Sequence, residues 1–582
     1  MHFLPTTQKE LRRLGWDQLD VILVTGDAYI DSPYVGIAVI GRVLVDAGFR
    51  VGVIAQPDLE SDAICRLGEP ALFWGVSGGC IDSMVANRTA SGYKRKRDDY
   101  TPGGLNNRRP DRAVLAYSNL IRRHFKNTSP IVLGGIEASL RRVAHYDYWS
   151  NALRRSVLFD AKADFLLYGM AERAVVELAT CLQNNEPPQK IRGLCYVAAT
   201  SRKEYINLPS FEACRDSKKV FTRMFQIFYD NNDPVSASGL CQAHAERYLI
   251  QNPPQPIPTS DELDHIYELD YQLDLHPFYG HLGKVRALET IRFSITTHRG
   301  CYGECNFCAI AVHQGRTINS RSQASIIREA KRLAGHPDFK GMIHDVGGPT
   351  ANMYGVECDK KRNKGPCRDK RCLFPVICKG MPVDHGSQLQ LLRELRNIKG
   401  VKKVVVSSGI RYDMILADRK NGHNYLRQLI RHHVSGQMKV APEHCVDAVL
   451  DCMGKPGTRS LLKFRELFNR LTKKEGLKQF LTYYIIAAHP GCRLKDMQEL
   501  RQFASKELQL IPKQVQIFTP TPSTWSTLMY WTGHNPLTGS PCFVEKTVQA
   551  REKQKMELTG LPSPAKQRGT VSKRYRKKKR GR

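Results

Sequence analysis

The sequence predicts an α/β protein in which an N-terminal Rossmann-like domain with a parallel sheet precedes a partial (β/α)6 barrel of the TIM type and a basic, disordered C-terminal tail. The chain of 582 residues is too long for one ordinary domain. In both halves, short apolar runs that end in glycine and polar residues alternate with helix-like segments, which is typical of parallel sheets. A proline-rich stretch, residues 251–264, separates the halves, and a helix cannot cross it.

These observations predict the boundaries of the domains. The Rossmann-like domain covers residues 1–200, and a connecting region that contains the proline-rich linker covers residues 201–289. The barrel covers residues 290–535 and includes a cysteine-rich insertion at 356–380. A C-terminal extension with the basic tail covers residues 536–582.

The Rossmann-like domain contains several apolar runs that end in small or polar residues. The runs are "DVILVTGDAYIDSP", "RVGVIAQPD", "ALFWGVSGG", "PIVLGGIEAS" and "ADFLLYGMAE". Ligands of parallel sheets bind outside the carboxyl ends of the strands. The candidate binding residues at these ends are Gly26, Asp27, Gly78, Gly79, Gly134, Gly135 and Gly169. Taken singly, each glycine is explained more simply by a tight turn between strand and helix. The polar, charged segment 91–113 predicts a long surface loop over these ends.

The barrel is predicted from six strand candidates that alternate with five amphipathic helix candidates. The strands are "IRFSITT", "GMIHDVG", "VKKVVVSSG", "QMKVAPE", "LTYYIIAAH" and "QVQIFTPTP". The helices are "QASIIREAKRLAG", "SQLQLLRELRNI", "HNYLRQLIRHH", "TRSLLKFRELFNRL" and "LKDMQELRQFASKEL". In such a barrel, functional residues lie where each strand meets its following loop.

The composition excludes some classes of protein. The mean hydropathy of −0.40 and the lack of a long apolar run predict no membrane span. The first residues lack a secretory signal, so we expect a cytoplasmic protein in which the 17 cysteines are thiols or metal ligands. The net charge is +32, and the tail, residues 564–582, contains ten Lys or Arg and no acid. Such a tail is either a solvated segment or a contact for RNA.

Three cysteines lie directly after the first strand of the barrel. Cys301, Cys305 and Cys308 follow the spacing C-x-x-x-C-x-x-C. Thiolates are soft ligands for zinc or iron–sulfur clusters, but a structural zinc site normally has four protein ligands. On a cluster of four irons, three thiolates leave one iron open to a substrate or cofactor.

This motif resembles the signature of radical S-adenosylmethionine (SAM) enzymes. The resemblance implies that the open iron of a [4Fe–4S] cluster chelates SAM, and that one electron then releases a 5′-deoxyadenosyl radical, which acts on a substrate. It also implies roles in the SAM pocket for the aromatic residue before the last cysteine and for residues at the later strand ends. These cofactor-binding candidates are Phe307, Gly347, Gly348, Ser408, Arg411 and Glu443. The segments "GGPTANMYG", "VAPEH", "HPGC" and "FTPTPSTWSTLMYWTG" are similar to the YgiQ-type radical SAM family over nearly the full chain.

The resemblance leaves the substrate and the catalytic residues unassigned. It implies an electron donor such as flavodoxin or ferredoxin, and no membrane partner. The N-terminal half is similar to cobalamin-binding domains, but "GDAYIDSP" replaces the loop that would supply an axial histidine, so cobalamin is not expected. The rival interpretation is a non-catalytic iron–sulfur or RNA-binding module.

A second set of cysteines lies in the insertion. Cys358, Cys367, Cys372 and Cys378 are irregularly spaced in a segment that is rich in Lys and Arg and poor in apolar residues. The hypothesis is an auxiliary iron–sulfur cluster or a structural zinc, because a metal would supply folding energy that the segment lacks; the alternative is free thiols. Cys445 and Cys492 could be radical partners, although inert buried thiols are the simpler interpretation.

Overall fold

Nine strands of the N-terminal half form one sheet in the computed structural model, which describes residues 2–560. The first five strands are parallel, as predicted. They are β1 Val21–Thr25, β2 Val51–Ala55, β3 Phe73–Ser77, β4 Ile131–Gly134 and β5 Phe165–Leu167. The spatial order begins β2-β1-β3-β4-β5, so the carboxyl ends of β1, β3 and β4 are adjacent.

The sheet extends beyond the boundary that the sequence predicts at residue 200. β6 Leu194–Ala198 still lies before this boundary, and the strands beyond it are β7 Ile206–Leu208, β8 Leu240–His244 and β9 Arg247–Gln251. β6 is antiparallel to β5, and β9 and β8 continue the sheet as an antiparallel hairpin. The predicted connecting region therefore contributes strands to the N-terminal domain, because its strands pair with the sheet edge that β6 leaves open.

Apolar residues cover both faces of the parallel part of the sheet. In β1, Val21 and Leu23 lie in one buried core, whereas Ile22 and Val24 lie in another. This alternation follows from the two-residue period of a strand. Each such side chain contributes roughly 1.5–3 kcal/mol on burial, so the sheet is stabilised from both sides.

All six predicted strands of the second half are present, one of them in two pieces. They are β10 Ser294–Thr296, β11 Met342–Ile343, β12 Asp345–Gly347, β13 Lys403–Val404, β14 Gln437–Glu443, β15 Phe480–Ala487 and β16 Val515–Ile517. Every pairing between them is parallel and follows chain order: β10 with β12, β11 with β13, β14 with β15 and β15 with β16. A parallel bridge between Ile410 and Val440 links the segment after β13 to β14. The mixed α/β architecture agrees with the prediction, and the predicted tail lies outside the described residues.

The helices of the second half return the chain from one strand to the next. Helix Gln323–Ala334 begins where the Ser322 hydroxyl accepts a hydrogen bond from the backbone of Ser325, and it buries Ile326 and Leu333. The other main helices of this half are Gly386–Arg396, Tyr412–Ala417, Gly422–Gln428, Asp447–Met453, Thr458–Lys474, Leu494–Phe503, Trp525–Thr532 and Val548–Thr559. The helices that cover the N-terminal sheet include Gly36–Asp46, Ala113–His124, Gly135–Leu140, Glu172–Gln183 and Lys218–Asp230.

One apolar core connects the two halves. It contains Leu23 and Val53 of the N-terminal sheet together with Ile295 of β10, Val346 of β12 and Val404 of β13. The two halves are therefore packed against each other and share buried side chains. No helix within residues 2–560 has both the length and the apolar character needed to cross a membrane.

Candidate functional site

The cysteine triplet lies on a loop that a short antiparallel strand pair closes. After β10, residues His298–Arg299 pair with Asn319–Ser320, and the loop between them contains all three cysteines. Gly300 begins this loop with φ +79°, and a Cβ at this position would lie 2.0 Å from the carbonyl oxygen of Thr317. Glycine is required here because a side chain would force the two ends of the loop apart.

Two of the three thiols converge on Gly303. A Cβ at Gly303 would lie 3.2 Å from Sγ of Cys301, 3.6 Å from Sγ of Cys305 and 3.4 Å from Nη1 of Arg411. The backbone N–H of Gly303 donates a hydrogen bond to Sγ of Cys301 at 3.3 Å, and the hydroxyl of Thr350 lies 3.4 Å from the same sulfur. A thiolate at Cys301 is thus surrounded by hydrogen-bond donors and a guanidinium.

Burial opposes negative charge on these thiols in the absence of a metal. It raises the pKa of Cys301, and it raises the pKa of Cys308 to about 12, with further contributions from the neighbouring Cys305 and Cys301 thiols and from Glu443. Three thiolates this close need positive charge to coexist, and a metal cluster supplies it. The donor set therefore fits an iron–sulfur cluster.

Within residues 2–560, no three His, Cys, Asp or Glu side chains are arranged to hold one metal ion. The preference for a cluster over zinc at the triplet therefore rests on the number of thiols on the loop, which is three, whereas a structural zinc site normally has four protein ligands.

The glycines after β12 lie beside the triplet loop. A Cβ at Gly348 would lie 2.7 Å from the His298 ring, so the turn has no room for a side chain. A Cβ at Gly347 would lie 3.7 Å from Cβ of Ser408, which places Ser408 at the same turn. The backbone N–H of Ser408 donates to Asp345 at 3.1 Å, and its hydroxyl also donates to that carboxylate. Three predicted SAM-pocket residues are therefore neighbours.

The two predicted charged residues of the pocket are buried and paired. Arg411 donates from Nε and Nη2 to Asp413 at 2.8 and 2.6 Å. Glu443 has φ +69°, and its carboxylate lies 3.8 Å from Nζ of Lys455. Burial raises the pKa of Glu443, while Lys455 and Arg411 act in the opposite direction. The sequence did not indicate Asp413.

Phe307 lies between the two apolar cores, with its ring 6.2 Å from that of His489 in an edge-to-face arrangement. Burial lowers the pKa of His489 to about 3, so its imidazole is neutral, and Nε2 lies 2.7 Å from the Ser526 hydroxyl. These contacts fix the Phe307 ring at the edge of the triplet loop.

The second cysteine set is less organised than the triplet. Cys358, Cys372 and Cys378 are partly buried against a small apolar core that Cys301 also contacts, but Cys367 is not among its neighbours. Nζ of Lys361 lies 3.6 Å from Sγ of Cys372. The hypothesis of a metal at this set stays a prediction.

Cys445 and Cys492 have the surroundings of inert thiols. Both are buried, and burial raises the pKa of each to about 12. Sγ of Cys492 donates to Gln554 at 3.3 Å and lies 3.6 Å from Nε2 of His444. Burial lowers the pKa of His444 to about 4, so this imidazole is a weak base and the Cys492 thiol keeps its proton.

A cavity of about 480 Å³ joins the two halves of the molecule. On one side it is lined by carboxyl ends of strands in the N-terminal sheet, namely Thr25, Ser77, Gly79, Gly134, Gly135 and Gly169. On the other side it is lined by Gly347, Gly348 and Ser408 of the SAM turn. The structure therefore brings together two groups of candidates that the sequence placed in separate domains.

Two of the predicted strand-end glycines serve packing only. A Cβ at Gly26 would lie 2.3 Å from the carbonyl oxygen of Gly78, and a Cβ at Gly78 would lie 2.3 Å from a carboxylate oxygen of Glu137. Neither glycine lines the cavity. For these two, the tight-turn interpretation is the better one.

Asp27 lies at the cavity wall. It forms a buried ion pair with Arg109, and the backbone N–H of Cys80 donates to it at 2.6 Å. Burial raises the pKa of Asp27, and Arg109 opposes this effect. Gly79 is required here, because a Cβ would lie 2.3 Å from the Asp27 carboxylate.

The cavity presents little free charge. Among the described residues that line it, Arg299 is the one cation of Lys or Arg type, and it donates to Glu172 at 2.6 Å. His298 and His313 also line the cavity, and burial lowers the pKa of each to about 4, so both are neutral near pH 7. The sequence reasoning missed these histidines. A signal existed for His298, which is a polar residue at a strand end, but none existed for His313.

Most of the remaining wall is apolar. Its side chains come from β1, β3 and β4, from helix Gly36–Asp46 with the residue before it, and from helix Glu172–Gln183, and they include Leu23, Val35, Ile40, Val76, Leu133 and Val175. An apolar wall with a few polar groups at one end is the usual form of a site for a small molecule.

Comparison with known proteins gives three findings. Residues 3–294 match the family model described as "Radical SAM N-terminal". The chain is 56% identical to a UPF0313 protein of Fusobacterium nucleatum, covering 96% of this chain and 99% of that protein, and 47% identical to a UPF0313 protein of Thermotoga maritima, covering 95% and 98%. The fold is similar to that of TsrM from Kitasatospora setae, a radical SAM methyltransferase solved with cobalamin and a [4Fe–4S] cluster bound (TM-score 0.51, 15% identity, 94% of this chain and 91% of that one).

Proposed function

The chain belongs to the UPF0313 family, the YgiQ-type radical SAM enzymes, and we propose that it acts on a small, largely apolar molecule enclosed between its two halves. Membership of this family implies a [4Fe–4S] cluster and SAM as cofactors. The observation that carries the proposal is the cavity, because it reaches both the SAM turn and the strand ends of the N-terminal sheet.

When bound, the cluster and SAM supply a 5′-deoxyadenosyl radical through one-electron cleavage of the sulfonium bond. The task of the chain is to hold them and to exclude water. Cys301, Cys305 and Cys308 are the cluster ligands in this proposal. Arg411 lies beside Cys305 and is fixed by Asp413, so its positive charge can balance the thiolates without moving.

The turn after β12 is the proposed contact for the amino group of SAM. Gly347 and Gly348 leave the backbone open to a ligand, and the His298 ring behind Gly348 keeps the turn in place. Ser408 is held by Asp345, which fixes its position at the same turn. Glu443 and Phe307 complete the proposed pocket at its other edge.

The cavity favours a small molecule over RNA as the reacting substrate. A site for a polyanion needs unpaired cations, whereas Arg299 is paired with Glu172 and the two histidines are neutral. The apolar side chains from the N-terminal sheet would contact a hydrocarbon or aromatic body. The polar groups near the SAM turn would orient the carbon that loses a hydrogen atom.

The expectation that cobalamin does not bind is not supported by the comparison, since TsrM holds cobalamin as well as the cluster. In this chain the segment "GDAYIDSP" contains no histidine, and its Asp27 is paired with Arg109 at the cavity wall. Titration of the purified protein with hydroxocobalamin, followed by absorbance and equilibrium dialysis, decides whether the cavity accepts a corrin ring.

The decisive experiment for the proposed function is anaerobic incubation of the reconstituted protein with SAM and dithionite. We expect 5′-deoxyadenosine and methionine as products. We also expect that an apolar fraction of a cell extract increases the rate, while RNA from the same cells does not. If no 5′-deoxyadenosine forms, the non-catalytic iron–sulfur or RNA-binding interpretation takes the place of this proposal.

A further inference from the structure

The insertion between β12 and the next helix presents a cationic surface next to the cysteine loop. We define the basic insertion as residues 358–380, which contain eight Lys or Arg and two Asp. Five of these basic side chains are exposed and form no ion pair with any acid within residues 2–560. They are Lys360, Lys364, Arg368, Lys370 and Lys379.

The basic insertion contacts the cysteine loop directly. Nη1 of Arg371 donates to the carbonyl oxygen of Glu304 at 3.2 Å and to Oδ1 of Asn306 at 2.7 Å. The backbone N–H of Cys358 donates to the Tyr302 hydroxyl at 3.1 Å. Tyr302, Glu304 and Asn306 lie between the cluster cysteines in the chain, so the basic insertion packs directly against the loop that contains them.

The charges of the basic insertion divide into an inner and an outer group. Lys361 is buried, and its Nζ lies 3.5 Å from a carboxylate oxygen of Glu304. Arg316, which lies outside the basic insertion, is 3.5 Å from the same carboxylate. The charge of Lys361 is therefore paired with Glu304 inside the molecule. The outer group of five forms no ion pair within residues 2–560, although Arg368 lies close enough to Asp230 to oppose the rise that burial causes in the pKa of that carboxylate.

An apolar residue lies within the same surface. Val376 is 74% exposed, the highest value among the large exposed apolar side chains of the described residues. Pro375 beside it is also exposed. An apolar centre surrounded by charged side chains is the composition of a transient protein interface, and the charges increase the rate of encounter with an oppositely charged partner.

We propose that the basic insertion is the docking surface for a small acidic protein that carries one electron. The proposal rests on the proposed function, which consumes one electron in each cleavage of SAM. In the docked complex one electron would pass from the reduced carrier to a cluster held by Cys301, Cys305 and Cys308. The carrier would be oxidised by one electron, the cluster would be reduced by one, and no group would be transferred in this step.

The test compares two reductants on the full-length protein. The probe is reduced flavodoxin, an acidic one-electron carrier, and the reference is dithionite, which needs no docking surface. In the triple variant Lys364→Glu, Arg368→Glu and Lys370→Glu, we expect the flavodoxin-dependent rate of 5′-deoxyadenosine formation to fall by about tenfold or more. The dithionite-dependent rate should stay within about twofold of the unaltered protein.

The matched control reverses three exposed charges in the loop over the N-terminal strand ends. The triple variant Lys94→Glu, Lys96→Glu and Arg97→Glu changes the net charge equally, and these residues form no ion pair within residues 2–560. We expect this control to retain the flavodoxin-dependent rate. Added salt should lower that rate in the unaltered protein and in the control, but much less in the insertion variant.

Further measurements separate binding of the electron carrier from cleavage of SAM. Titration of oxidised flavodoxin onto the protein by calorimetry measures docking without SAM cleavage, and the insertion variant should bind at least about tenfold more weakly. Val376→Asp should weaken the same binding by a smaller factor.

Equal losses in the insertion and control variants, or unchanged binding in both, would overturn the proposal. Absence of 5′-deoxyadenosine with either reductant, together with intact and insertion-dependent flavodoxin binding, would overturn the proposed function and leave the docking surface standing.

Discussion

The two cysteine sets differ in their surroundings more than in their number. The triplet lies on a closed loop at a strand end, where Gly303, Thr350 and Arg411 surround the sulfur of Cys301. The cysteines of the basic insertion lie at irregular spacing, with Lys361 near Cys372 alone. The groups around the thiols therefore distinguish the two sets better than the number of cysteines does. The spacing of cysteines predicts a metal-binding site more reliably where a strand fixes the start of their loop.

The largest expected effect concerns the triplet ligands. Replacement of Cys305 by alanine should remove nearly all triplet iron and reduce 5′-deoxyadenosine to background, because two thiolates cannot hold the cluster. Replacement of Cys367, which lies outside the shared apolar core, should leave both readouts close to those of the unaltered protein. Iron analysis and product assay of the anaerobic proteins measure the difference. Equal losses of iron and of 5′-deoxyadenosine in both variants would show that the two cysteine sets do not differ in the way proposed.

The second effect concerns the charge beside the triplet. Asp413→Asn removes the partner of the buried Arg411, and leaving such a charge uncompensated costs about 3–5 kcal/mol. Asp99→Asn is the control, because its pair with Arg286 is exposed on both sides and contributes less than about 1 kcal/mol. Denaturant titration of the metal-free proteins gives the free energies of unfolding. A difference below about 1 kcal/mol between the variants would show that Arg411 does not depend on Asp413.

The third effect concerns the turn between the triplet loop and the cavity. Gly348→Ala should destabilise the protein by about 1–3 kcal/mol and weaken SAM binding, because the added methyl group overlaps the His298 ring. Gly409→Ala is the matched control, since a Cβ there has no neighbour within 4 Å. Equilibrium dialysis with labelled SAM and thermal unfolding check both variants. If Gly409→Ala weakens SAM binding as strongly, the close contact at Gly348 is not the cause.

The smallest effect on activity is expected at the second set. Replacing both Cys358 and Cys372 by alanine should lower the metal content by about four irons or one zinc, according to the metal bound. The triplet iron and the dithionite-dependent rate should change little, because the triplet keeps its own three thiols and the apolar core that Cys358 and Cys372 share with Cys301 remains. Metal analysis that finds the same content before and after the replacement would identify the second set as free thiols.

The sequence predicted the features that depend on local patterns. The six strands of the second half and their helices were found because apolar periodicity is readable over ten residues. The proximity of Gly347 and Ser408 was implied by their equivalent positions at strand ends. The triplet loop was found because its three thiols directly follow a strand.

The features that the sequence did not predict are of two kinds. Some are contacts between residues that are not neighbours in the sequence pattern, and one is a hairpin whose turn has no typical turn residue. Strands β8 and β9 are joined by Ala245 and Glu246, which include no glycine or asparagine, so the hairpin was assigned to a connecting region. The cavity brings Thr25 beside Gly347, more than 300 residues apart in the chain. Asp413 as the partner of Arg411 likewise became visible only in three dimensions.

The apolar core that Leu23 and Val53 share with Ile295, Val346 and Val404 has a consequence for how the molecule can be divided. Cutting the chain near residue 290 would expose an apolar surface on each fragment, so we expect the separated fragments to aggregate. We expect the intact chain to unfold in a single cooperative transition. Because the two halves share this core, we do not expect them to separate as rigid bodies when a reactant enters the cavity. A reactant would enter through local loop movement instead.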